Sequence, residues 1–168
     1  MALKDRLNYL SQGIQSMSQV DILDDWKAAT EDLFQLVENF VRPFVHENLL
    51  SIDRELINIT EENLGSYVAP KLVLHSGPVN VVFQPVARLT AGSTGRIDVS
   101  SSRSEVGYSL LRHGIGVEAT WDVMPKINRL AALADVIPAF ENALNPRPRF
   151  IKFNTAELEK ILDKLFAA

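Results

Sequence analysis

Residues 117–123, Val-Glu-Ala-Thr-Trp-Asp-Val, alternate apolar and polar side chains without a break. Successive side chains point to opposite faces in a β-strand. The alternation therefore sorts Val117, Ala119, Trp121 and Val123 onto one face, and Glu118, Thr120 and Asp122 onto the other. A strand with one buried and one solvated face belongs to an antiparallel sheet. The same grammar reaches back to Tyr67. Proline and glycine punctuate the chain at Pro70, Gly77, Pro78, Pro85, Gly92 and Gly95, and β-branched residues become common. The stretches KLVLH, VNVVFQPVARL, GRIDVS, VGYSLLR and VEATWDVM read as strands. Because they follow one another directly, the expected topology is an antiparallel meander of about four to five strands over residues 71–124. Pro85 cannot donate to a ladder, so its strand should carry a bulge or lie at an edge.

Helical periodicity brackets this region on both sides. Leu3, Leu7, Leu10, Ile14 and Met17 are spaced as in a heptad seam, which predicts a helical arm over residues 1–20. Such an arm either lies on its own core or joins two copies of the chain. A second helix is expected from an N-cap at Asp21. Its apolar face would be Trp26, Ala29, Leu33, Leu36, Val37, Phe40, Val41 and Phe44. Pro43 should kink or end it. Residues 45–59 suit a short helix followed by a strand, and Thr60–Asn63 suits a capped helical turn closed by Gly65. Residues 128–144 have helical spacing with a break at Pro138, and NPRPRFIKF reads as an extended connector. Asn154 and Glu157 form a capping-box pattern before the stripe Leu158, Ile161, Leu162, Leu165 and Phe166.

The fold class this predicts is α+β: N-terminal helices, a meander sheet, and C-terminal helices packed on one face. The expected organisation is an arm over 1–20 and a single α+β domain over 21–168. Trp26, Phe40, Phe83, Trp121 and Phe166 are the expected core anchors.

Charge and composition then narrow the function. The chain has 168 residues and no cysteine, which excludes disulfides, thiolate metal sites and cysteine nucleophiles. The start, MALKDRLNYLSQ, lacks the continuous apolar run of a secretion signal, so the expected location is cytoplasmic, with no membrane association. Residues 1–66 carry 12 acidic and 5 basic side chains, whereas residues 67–168 carry 9 and 12. The halves are thus of opposite sign, and neither is basic enough to predict nucleic-acid binding.

The candidate chemistry centres on LTAGSTGRIDVSS, residues 89–101. Its glycines resemble a phosphate cradle, but Gly95 is followed by the strand-like Arg96-Ile97-Asp98-Val99 and no helix starts there. A tight hairpin is the better reading. Arg96 and Asp98 should emerge together on one sheet face, with Arg112 or Glu118 as cross-strand partners and Ile97 and Val99 facing the core. Asp98 and Glu118, with Glu61 as a third carboxylate, form a loose version of the layout with which a nuclease holds a divalent cation. Thr120 occupies the position where lysine would polarise water. His46, His75 and His113 lack ligand spacing, and the serines at 100–104 lack a nucleophile elbow. Arg147, Arg149 and Lys152, with the nearby Lys126 and Arg129 and with Phe150 and Phe153 interleaved, form a basic concentration that suits either an acidic protein surface or stacking and phosphate contact with single-stranded nucleic acid.

With no catalytic constellation at working spacing, the expected function is a non-enzymatic protein-interaction or adaptor domain. It would associate with a protein partner or with itself, and needs no cofactor or metal. Its expected binding residues are Arg96, Arg112, Arg147, Arg149 and Lys152. The alternative is a metal-dependent nuclease using Asp98, Glu118 and Glu61.

Overall fold

A computed structural model of the chain describes residues 3–4, 18–90, 92–127 and 151–167. The expected arm over 1–20, apart from its two ends, and the expected helices and connector over 128–150 lie outside them.

Helix α1 runs Gln19–His46 and starts at Ser18, not at Asp21. Ser18 and Asp21 form a capping box: the Asp21 amide donates to Ser18 Oγ, and the Ser18 amide donates to the Asp21 carboxylate. The buried stripe is Trp26, Thr30, Leu33, Phe34, Val37 and Val41. It is rotated from the expected face, so Leu36 and Phe44 stay exposed. Pro43 is accommodated in the last turn, and the helix ends one residue beyond Val45 with a Schellman closure. There the Leu49 amide donates to Phe44 O, the Asn48 amide donates to Val45 O, and Asn48 adopts φ 59°.

Among the described residues the sheet has seven strands in sequence order, all antiparallel: β1 (Ser51–Glu61), β2 (Gly65–Ser76), β3 (Val79–Ala87), β4 (Arg96–Ser101), β5 (Val106–His113), β6 (Thr120–Ile127) and β7 (Ile151–Lys152). The meander is as expected, but it is longer than four to five strands because β1 begins twenty residues earlier than 71 and β7 adds a strand beyond 124. Residues 51–61 pair with β2 along their whole length, so Thr60–Asn63 is a hairpin end and no helical turn. The register of β3 against β4 shifts between Pro85 and Ala87, the irregularity that proline imposes on a ladder. The expected strand 117–124 is half correct. Trp121 and Val123 do face the core, but Gly116–Glu118 is a 3-10 turn and Val117 is fully exposed.

Helix α2 (Thr155–Ala167) is capped by Asn154, whose Oδ1 accepts the Glu157 amide. Its buried residues are Leu158, Ile161, Leu162 and Leu165, as its spacing predicts. Both helices lie on one side of the sheet and share its core with Leu72, Leu74, Val81, Phe83, Ile97, Val99, Leu110 and Val123. Of the expected anchors, Trp26 and Phe83 are fully enclosed, whereas Phe40, Trp121 and Phe166 pack at the margin. The Trp26 and Trp121 rings meet with centroids 6.2 Å apart.

The β1–β2 hairpin changes face along its length. Near its base, Leu72 and Leu74 are buried and Arg54 reaches back to α1. Near its tip the opposite parity, Ile59, Tyr67 and Ala69, is buried. Its eleven cross-strand pairs are unbroken, so a bulge is not the cause. Pairing of β2 with β3 stops at Leu72, and the free two-stranded ribbon beyond that point can twist more strongly than a wide sheet.

Candidate functional site

Among the described residues no element packs on the sheet face opposite the helices. Strand alternation delivers Asp53, Val73, Val82, Gln84, Arg96, Asp98, Ser100, Ser109, Leu111, Asp122, Met124 and Lys126 to that face. Asp98 lies near its middle. Arg96 Nε donates to Oδ1 at 2.8 Å and Arg96 Nη2 donates to Oδ2 at 2.9 Å. Ser109, the residue directly opposite on β5, donates to Oδ1 at 2.8 Å. Lys126 Nζ donates to Oδ2 at 2.8 Å. Burial works against the carboxylate's charge. The donors from Arg96, Lys126 and Ser109 outweigh it, so the carboxyl titrates below its ordinary range. Gln84, Val86, Asp98, Val99, Ser100 and Lys126 line a shallow depression of about 260 Å³ beside this cluster.

Histidine–carboxylate contacts flank the cluster. His75 Nε2 lies 2.9 Å from Asp53, and His113 Nε2 lies 3.0 Å from Asp122. Lys152, exposed on β7, stands opposite Asp122.

The sequence placed Arg96 and Asp98 correctly on one face, with Ile97 and Val99 inward. It missed their partners. Neither Arg112 nor Glu118 joins Asp98; Ser109 and Lys126 do. Arg112 points to the other face and is 1% exposed. Its guanidinium donates to both oxygens of Asp25 on α1, at 2.7 and 3.0 Å. That hydrogen bonding lowers the Asp25 carboxyl below its ordinary range despite burial. Arg112 is therefore an internal tie and is not available on the surface as a docking residue.

Glu61 sits at the tip of β1. Its carboxylate accepts the amides of Arg88 and Leu89, and Tyr67 Oη donates to it. Burial, and then this contact, raise the Tyr67 phenol above its ordinary range. Arg88 is buried nearby, 3.9 Å from Asp25, and burial lowers its guanidinium. Glu118 is exposed in the turn after β5. The structure thus leaves Asp98, Glu61 and Glu118 at three separate places. Among the described residues no group of three acidic or histidine side chains is arranged to hold a metal ion. Arg147 and Arg149 lie outside the described residues. Phe153 is buried and so is not free to stack on a base.

The glycine-rich stretch is a connection between β3 and β4. Thr90 and Ser93 bridge it, and Gly92 turns it with φ 77°. Gly95 is required for another reason, because a Cβ there would run into the Trp26 ring. In comparisons with protein-family models, curated proteins and solved structures, the chain matches none. No described helix is long and apolar enough to cross a membrane.

Proposed function

We propose that this chain is a non-enzymatic protein-interaction or adaptor domain that works in the cytoplasm. It docks a protein partner through the open face of its sheet, with residues 1–20 serving as a self-association arm. The saturation of Asp98 carries this reading. An ionised carboxylate has about four lone-pair sites, and four donors fill them here. To bind a cation or take a proton, Asp98 would first have to shed two cationic partners, so the group best placed for chemistry is committed to holding the surface rigid. Around it, exposed Val86 and Met124 are interspersed with Arg96, Lys126 and Lys152, the mixed apolar and charged make-up of a transient protein interface.

Light scattering after size exclusion, on the full chain and on a chain lacking residues 1–20, tests the arm. A monomer in both at high concentration removes it. Incubation with DNA and RNA in magnesium or manganese tests the non-enzymatic part. Cleavage that Asp98→Ala abolishes would replace this reading with a metal-dependent nuclease that uses Asp98.

A further inference from the structure

A single row of neighbours crosses six strands: Arg54, Leu72, Phe83, Val99, Tyr108 and Pro125. One residue from that row, on the open face, stand Asp53, Val73, Val82, Ser100, Gly107 and Lys126 in spatial order. The row has an acid at one end, a base at the other, and valines on the acidic side facing small residues on the basic side. We propose that this face binds a second copy of the chain about a two-fold axis running parallel to the strands, between β3 and β4. The proposal rests on the reading of the open face as a docking surface.

The symmetry follows from the pattern. Two sheets packed face to face on such an axis keep their strands aligned, and β1 of one copy lies over β6 of the other. Residues at one level stay at that level. Asp53 then meets Lys126 of the second copy, twice. Val82 meets Ser100, while Val73 and Gly107, both already buried, take no part in the contact. The other in-plane axis, across the strands, would stack each flank on its like and set Asp53 against Asp53. Asp53 already contacts His75 and Lys126 already donates to Asp98, but their side chains are 65% and 41% exposed, so each has room for a second partner of opposite charge. The wider flanks agree in sign. Asp53 and Glu55 outnumber Lys71 on one side, and Arg96, Lys126 and Lys152 outnumber Asp98 and Asp122 on the other. Opposite charges that meet only in one register fix orientation as well as attraction.

Charge reversal with exchange tests this in the full chain. Light scattering is expected to give twice 18.7 kDa for the unmodified protein. Asp53→Lys alone and Lys126→Glu alone should each dimerise at least tenfold more weakly, because each creates a like-charge contact twice. Mixed in equal amounts, the two variants should form a heterodimer, since every reversed contact then meets its opposite. Circular dichroism should show both variants folded. If either fails to fold, Asp53→Ser and Lys126→Ser replace them, each weakening dimerisation at least tenfold. Raising sodium chloride from low to molar concentration should weaken the unmodified dimer several-fold. A monomer at every concentration overturns the proposal while leaving a different protein free to use the face. A dimer insensitive to both reversals, or lost only when residues 1–20 are removed, also overturns it.

Discussion

Arg112 and Asp25, 87 residues apart in sequence, meet through two parallel hydrogen bonds inside the protein. Asp25 also accepts the Gly116 amide at 2.9 Å, so one carboxylate fastens the start of α1 to strand β5 and to the turn that follows it.

Breaking this tie on one side strands a charge. Asp25→Ala is expected to cost about 3 kcal/mol, because Arg112 keeps its burial and loses its partner. The combined Asp25→Leu, Arg112→Met protein should be more stable than Asp25→Ala alone. Urea unfolding measures both. A single-site loss below about 1 kcal/mol would mean that the pair contributes little to stability.

Acid should weaken the fold through Asp25 and Asp98. Both carboxyls titrate lower in the folded chain than unfolded, so the stability they contribute is fully present above about pH 4. It is lost as pH falls through their lower folded values. Urea midpoints from pH 6 to pH 2.5 should therefore fall below about pH 4, and Asp98→Asn should flatten part of that slope. An unchanged slope in the variant counts against the role given to Asp98.

Gly95→Ala is expected to destabilise by roughly 1–3 kcal/mol, the usual range for overpacking. The added methyl meets the Trp26 ring, so a changed tryptophan emission should accompany a lowered melting temperature. Gly92→Ala introduces no such collision and should leave the emission unchanged.

At the start of α1, Ser18→Ala removes the acceptor for the Asp21 amide and should cost about 1 kcal/mol. Ser18→Asp should retain most of that stability. Thermal melts of the two proteins distinguish a cap from a bystander.

Period-two and period-3.6 patterns were enough to reveal the meander, the stripe of α2 and the inward turn of Ile97 and Val99, because each depends on neighbours a few residues away. The strand Ser51–Glu61 was harder. Leu56 and Ile57 are adjacent, and the twisting ribbon buries one parity near its base and the other near its tip, so no single alternation runs through it. Arg112 shows the same limit. Nothing local marks an arginine whose partner is 87 residues away. Ser109 was within reach: the short connector after Ser101 fixes the register that puts it opposite Asp98.

The reversal of face along β1 and β2 also bears on solubility. A straight outer strand of eleven residues would offer one continuous line of backbone donors and acceptors to any passing peptide. Winding the ribbon breaks that line into two short stretches aimed in different directions, so an incoming strand that matches one misses the other. Among the described residues no segment covers this margin, and the winding of the ribbon guards it against fibre-like growth by shape.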